Sequence, residues 1–267
     1  MKLRQKKVAK PWGKTVLPEI FGGEQKKKIG EIWFQPPKNI TLDLMAKYLF
    51  TSEKLSIQVH PNERIARRQG YRTGKEECWY ILDAEPDAVL GLGLTKEVSP
   101  AKLRAAVACD QIEALVDWKP AKPGDFFYVP AGTIHAIGPG ITLVEFQQNL
   151  DLTYRLFDYG RGRDLHLDDA IEAADTGPYD MANFCEVPLD ESAILIDGPH
   201  FRVFQLIGNN PDIIAAVKAS EWQIIPLEGE IVARGKKIAA GQCGVATKAS
   251  DIDLSDNIRA LIACNMK

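Results

Sequence analysis

The chain has 267 residues, of which 45% are hydrophobic and 26% charged, with a formal net charge of −3. That length suits one large or two small domains, and the near-neutral balance gives no strong field to draw nucleic acid or anionic lipid. No apolar run approaches the ~20 residues of a membrane-spanning helix, and the basic start over 1–10 has no hydrophobic segment behind it, so no secretory leader is expected.

The entry over 1–30 contains Lys10-Pro11-Trp12-Gly13 and Phe21-Gly22-Gly23, which predict loops with turn punctuation. Its lysine runs, 2–10 and 26–28, read as solvated ends and turns. Strands are predicted over 29–34 and 40–50, with Pro36-Pro37 excluding a helix between them. Residues 54–60, KLSIQVH, predict another strand, closed by Pro61-Asn62. Alternation puts Ser56, Gln58 and His60 on one face and Leu55, Ile57 and Val59 on the other. Polar groups on an inward face are costly unless they bind something. One helical turn is expected over 63–69.

Gly74-Lys75-Glu76-Glu77 leads into the strand 78–82, with Lys75 and Glu77 on one face and Glu76 on the other. Residues 88–94 predict a further strand. Ser99-Pro100 is a helix start, serine as N-cap and proline at the first helical position, so 99–118 is read as a short helical insertion. Then comes Gly124 to His135, GDFFYVPAGTIH. Its aromatic and β-branched run predicts a strand, and Pro130 and Gly132 force a tight corner. A turn pinned on both sides holds the His135 imidazole in one direction, as a metal ligand requires. Strands over 141–146 and 152–157 and a short acidic helix over 168–174 follow, and short strands resume from about residue 190. A weak echo links Trp79-Tyr80-Ile81-Leu82 to Trp222-Gln223-Ile224-Ile225, and Gly124-Asp125-Phe126-Phe127 to Gly241-Gln242-Cys243-Gly244. In it Thr247, Ala249 and Ile252 take the places of Pro130, Gly132 and His135. The pattern is that of antiparallel β sandwiches or jelly rolls.

Gln58, His60, Glu77 and His135 are the candidate metal ligands. Imidazole nitrogen and carboxylate oxygen suit Zn²⁺ and neighbouring divalent ions, and two histidines with one carboxylate leave coordination positions open, as a catalytic site does. Lys75, on the face of Glu77, is a candidate proton carrier, and so is Glu145, ten residues beyond His135. His166 and His200 stand outside the pattern and read as structural. The five cysteines, Cys78, Cys109, Cys185, Cys243 and Cys264, are widely spaced with no CxxC. That favours reduced thiols in a cytoplasmic protein over a disulfide framework or a thiolate metal site.

Gly124-x5-Pro130-x-Gly132-x2-His135 resembles the second cupin motif. Gln58-Val59-His60-Pro61-Asn62, Gly74-Lys75-Glu76-Glu77-Cys78-Trp79-Tyr80 and Thr153-Tyr154-Arg155-Leu156-Phe157-Asp158 resemble the type I mannose-6-phosphate isomerases, the phosphomannose isomerase branch of the cupins. Lys10-Pro11-Trp12-Gly13 and Gly30-Glu31-Ile32-Trp33 resemble that family's N-terminal pieces, so the match spans about residues 10–175. The resemblance implies a mainly β fold: a cupin jelly roll with a helical insertion over 1–177, and a smaller, degenerate cupin-like β domain without ligands over 178–267. It implies one Zn²⁺ per chain on Gln58, His60, Glu77 and His135, and interconversion of mannose 6-phosphate and fructose 6-phosphate through a cis-enediol(ate). Arg155 matches an active-site arginine of the family, where guanidinium suits an oxyanion; Arg161 and Arg163 are further phosphate candidates. The expected partner is a small sugar phosphate, with no nucleic acid and no membrane. The rivals are a cupin oxygenase with iron, opposed by Gln58, Lys75 and Arg155, and a non-catalytic sugar-binding cupin.

Overall fold

β-Branched and aromatic residues recur in short runs along the chain, and the computed structural model, which describes residues 1–266, is built mainly of antiparallel strands. The first twelve are β1 (Arg4–Val16), β2 (Glu24–Gln35), β3 (Leu44–Phe50), β4 (Ile57–Val59), β5 (Glu77–Ala84), β6 (Val89–Leu94), β7 (Val116–Pro120), β8 (Asp125–Val129), β9 (His135–Ile137), β10 (Ile141–Gln148), β11 (Tyr154–Phe157) and β12 (Phe184–Glu186). The C-terminal part adds β13 (Ala193–Asp197), β14 (Phe201–Ile207), β15 (Trp222–Glu228), β16 (Glu230–Ala233), β17 (Lys236–Ala239), β18 (Gly244–Ala246), β19 (Ile252–Asp253) and β20 (Arg259–Asn265). Helices are few and short: α1 (Glu63–Arg68), α2 (Pro100–Ala108), α3 (Leu167–Ala173) and α4 (Asp212–Ala215). No helix among the described residues is long and apolar enough to cross a membrane.

Seven strands form a large sheet in the order β1-β2-β3-β10-β5-β8-β12, and five form a smaller one, β11-β4-β9-β6-β7. The two stack as a jelly-roll sandwich. Trp79, Ile81, Phe127 and Leu143 of the large sheet pack on Leu90, Leu92 and Ile137 of the small one. The far side of the large sheet is buried too. There Cys78, Tyr80, Phe126, Val144 and Phe146 meet Val203, Ile225, Leu261 and Ala263 of the C-terminal part. That is why the central strands read as continuous apolar runs rather than strict alternation. The outer face of the small sheet is covered by α2 and α3.

The C-terminal part has its own five-stranded sheet, β13-β14-β20-β15-β18, facing a three-stranded one, β17-β16-β19. Its order β14-β20-β15-β18 repeats β3-β10-β5-β8, so the echo of Trp79 in Trp222 and of Gly124 in Gly241 is matched in strand order.

Two expectations are corrected. The entry over 1–30 is a pair of long strands, β1 and β2, not loops. Pro11 is accommodated where the β1–β2 register slips between Ala9 and Lys14, and the lysine runs lie along these strands rather than at solvated ends and turns. Within 99–118, Ser99 caps α2 as expected, accepting from Lys102 N at 3.2 Å. The last residues of that span form β7, because Val116 and Trp118 find the open edge of β6 at Leu94 and Gly91.

Candidate active site

Two backbone devices bring the ligand candidates together. The first is the pinned corner. Gly132 has φ +96°, and its N–H donates to His60 O at 2.9 Å, while Thr133 N closes the turn on Pro130 O at 3.1 Å. This sets β9 beside β4, with Gln58 directly opposite His135. The second is Gly74. A Cβ there would lie 2.7 Å from the backbone of Asn62 and Glu63, so only glycine lets the start of β5 close on the His60-Pro61-Asn62 turn. Lys75 N donates to Pro61 O at 3.0 Å across this contact.

His60, Glu77 and His135 are each no more than 2% exposed, and their donor atoms lie within 4.8 Å of one another. His60 Nε2 is 3.3 Å from Glu77 Oε2, His135 Nε2 is 3.4 Å from Glu77 Oε1, and Gln58 Nε2 is 3.2 Å from His135 Nε2. Each histidine uses its other nitrogen elsewhere: Nδ1–H of His60 donates to Leu152 O at 3.0 Å, and that of His135 to Thr133 O at 2.9 Å. This selects the tautomer whose Nε2 lone pair points inward, the arrangement that ligating histidines use. Burial, reinforced by the Lys75 ammonium, pushes the His60 imidazolium down to about 3, and burial likewise lowers His135. Burial alone would raise Glu77, but the Lys75 ammonium beside it holds the carboxylate well below its usual range. Both rings are therefore neutral and the carboxylate ionised near neutral pH, the protonation states a metal demands.

The fit to a divalent cation can be judged on distances. Tetrahedral bonds of ~2.0–2.1 Å imply ligand–ligand edges of ~3.3 Å; the two histidine–glutamate separations are 3.3 and 3.4 Å, and the three donor atoms all lie within 4.8 Å of one another. Glu77 Oε2 is buried without a well-aligned hydrogen bond, and the group that faces it is the Lys75 ammonium. The Lys75 ammonium meets the same lone pairs, 2.8 Å from His60 Nε2 and 3.0 Å from Glu77 Oε2, so the pocket already accepts a positive charge. The residues fit a metal.

Gln58 and Glu77 of the centre line a cleft of about 580 Å³, counted to its open mouth, together with Lys75, Glu145, Arg155 and Arg163, while His60 and His135 stand behind its wall. Glu145 is buried, pairs with Lys47 Nζ at 3.0 Å and accepts from Trp79 Nε1 at 3.3 Å. Burial raises Glu145, the charge of Glu77 adds to this, and Lys47 only partly opposes it. Arg155 lies opposite Gln58 on β11, and its Nε is buried without an acceptor. Arg163 reaches the cleft while also holding Asp158. Arg161 does not line it; it ties Asp158 O and Lys54 O. His166 and His200 stand apart from the centre. His200 contacts Glu63 and Glu76 at 3.6 Å on the reverse side of β5.

Sequence reasoning missed Lys47 and Glu31, two further buried charges of the cleft. Their signal is a lone charge in an apolar strand, LMAKYLF in the case of Lys47.

A two-sheet β barrel of cupin type with two histidines and a glutamate gathered on its inner face defines the class: a cupin-fold protein with a candidate metal centre. No family model matches the chain. It is 36% identical over 180 residues to a protein of Streptococcus mutans named mannose-6-phosphate isomerase, an alignment covering 64% of this chain and 57% of that one. The chain thus spans a little over half the length of that relative. The crystal structure of the mannose 6-phosphate isomerase from Bacillus subtilis superposes with a TM-score of 0.80 at 25% identity, covering 98% of both chains. A zinc-bound mannose 6-phosphate isomerase superposes with a TM-score of 0.71 at 15% identity over 100% of this chain and 99% of that one, a likeness of fold. The chain is thus similar in sequence and in fold to proteins named mannose-6-phosphate isomerase.

Proposed function

We propose that this chain is a metal-dependent aldose–ketose isomerase that interconverts mannose 6-phosphate and fructose 6-phosphate. The observation that carries the reading is the inward pair of Nε2 lone pairs beside an ionised, buried Glu77, which itself lines a cleft with Lys75, Glu145 and Arg155. Gln58, His60, Glu77 and His135 would hold the cation, with Gln58 turning its amide oxygen inward. Zn²⁺ is the ion proposed, one per chain, because nitrogen and oxygen donors at these spacings suit it. When bound, it would act as a Lewis acid on the sugar carbonyl and its neighbouring hydroxyl, stabilising enediolate charge.

The remaining work falls to the chain itself. The C–H beside a sugar carbonyl is a poor acid, so a proton must be carried between C1 and C2 by a group held on one face. Lys75 and Glu145 are the two proposed carriers, and both line the cleft with Glu77. Lys47 fixes the Glu145 carboxylate in place. Arg155 and Arg163 would hold the phosphate, since guanidinium offers paired donors to an oxyanion. Trp12, Leu49, Leu55 and Ile137 contribute a small apolar share to a lining that is otherwise polar and charged. We place the unit boundary at 177/178, with β12 as an arm returning to β8. The cytoplasm is the proposed location, in keeping with five free cysteines.

The test is a coupled assay of the purified chain on mannose 6-phosphate, before chelation, after it, and after zinc is restored. The reading requires turnover that is lost and regained. Oxygen uptake without isomerisation would instead assign an oxygenase, and sugar binding without turnover a non-catalytic cupin.

A further inference from the structure

The first thirty residues carry nine lysines and arginines against two glutamates, a surplus of seven, which leaves the other 237 residues at −10. All of these cations but Lys2 lie on the β1–β2 pair at the edge of the large sheet. Register decides which side they face. Arg4 is paired with Gln35, Lys6 with Trp33 and Val8 with Glu31. Trp33 is in turn paired with Lys47, and Lys47 with Glu145, a residue of the cleft. Paired residues share a face, so Arg4 and Lys6 stand on the cleft side of the sheet, whereas Lys7 stands on the other. There Lys7 donates to Phe21 O at 2.7 Å and to Gln25 Oε1 at 2.9 Å.

Arg4 and Lys6 are exposed, and among the described residues neither has an ion-pair partner. Lys6 Nζ rests 5.2 Å from the Trp33 ring centroid, with Lys47 Nζ 5.3 Å from the same ring. Lys10, further along β1, reaches the cleft itself and pairs with Glu31 at 3.2 Å. At ~3.3 Å per strand residue, successive cations are spaced ~7 to 13 Å apart. The result is a line of positive charge that leads along one face to the cleft mouth.

We propose that this face, Arg4, Lys6 and Lys10, is an anion-collecting surface that raises the local concentration of a dianionic sugar phosphate at the cleft; the inference rests on the reading of the substrate given above. Edge strands also carry lysine to prevent sheet-to-sheet pairing. That role is indifferent to which face the lysine occupies, whereas attraction of a substrate is not. Long-range attraction of this kind acts on capture, is strongest at low salt and disappears once the Debye length falls below the charge separation.

The matched pair Lys6→Glu and Lys7→Glu tests it, because both change the net charge equally on neighbouring residues of one strand. At ~10 mM salt, Lys6→Glu should lower kcat/KM for mannose 6-phosphate about threefold, and Arg4→Glu with Lys6→Glu about tenfold, with kcat unchanged. At ~1 M salt both should come within about 1.5-fold of the parent, and Lys7→Glu should stay within that margin throughout. Calorimetric binding of mannose 6-phosphate at the two salt levels reads the same ordering without turnover, so it separates this inference from the isomerase reading. Equal losses from Lys6→Glu and Lys7→Glu, losses that do not fade with salt, or no binding of mannose 6-phosphate at all would overturn it.

Discussion

Lys75 is the residue on which the proposed chemistry turns, because its ammonium touches both His60 and Glu77 yet comes from outside the ligand set. Lys75→Met should retain the metal and lose at least about a hundredfold in kcat, the lower end of what an acid/base group supplies; near-normal turnover would remove it from the mechanism. Glu31 offers a separate, pH-based check. Burial would raise its carboxyl, but Lys47, Lys10 and Trp33 Nε1–H outweigh burial and hold it below the ordinary value of 4.5. A depressed carboxyl contributes stability above its unfolded value and loses it as pH falls through the folded one. Glu31→Gln should therefore be less stable at neutral pH, yet lose less of its stability on acidification below about 5 than the parent, as urea midpoints across pH will read. The four ligand candidates were legible because strand parity and the proline–glycine corner give each a direction without any long-range information. Lys47 was not. What makes it functional is Glu145, about a hundred positions away, and that pairing exists only once β3 and β10 lie in register.

Among the elements, the corner before β9 and the approach of β5 to β4 do the positioning. Gly74→Ala would drive a methyl into the backbone of Asn62 and Glu63. Overpacking of this kind costs about 1–3 kcal/mol, and here it would also part Glu77 from His60. The expected outcome is a lowered urea midpoint together with at least about tenfold weaker zinc binding in a chelator competition, the size of effect that displaced supporting contacts produce at metal sites. Unchanged zinc affinity would mean that the turn does not set the site. The corner Pro130-Ala131-Gly132 was readable because proline and glycine each restrict or permit one backbone angle locally. The strands β1 and β7 were not. Their residues carry loop-like or helix-like signals of their own, and tertiary pairing, with β2 and β6 respectively, overrides them.

At the scale of the whole molecule, the large sheet is a partition with chemistry on one side and a second β unit on the other. The C-terminal unit grips the start of β3: Glu221 accepts from Leu44 N at 3.0 Å, and Gln223 donates to Leu44 O at 2.7 Å. It thereby braces the strand that carries Lys47. The repeated strand order explains how a unit with Thr247, Ala249 and Ile252 in place of the corner and its histidine keeps the architecture without the ligands. The echo in sequence was faint because strand order is preserved by burial pattern, which many apolar residues satisfy equally. The account as a whole depends on Gln58, His60, Glu77 and His135 closing on one cation, and metal content measured on the parent and on Glu77→Ala after identical zinc loading and dialysis tests it most directly. The account predicts about one zinc per chain in the parent and next to none in a Glu77→Ala protein that still folds; stoichiometric zinc in that variant, or none in the parent, would contradict it.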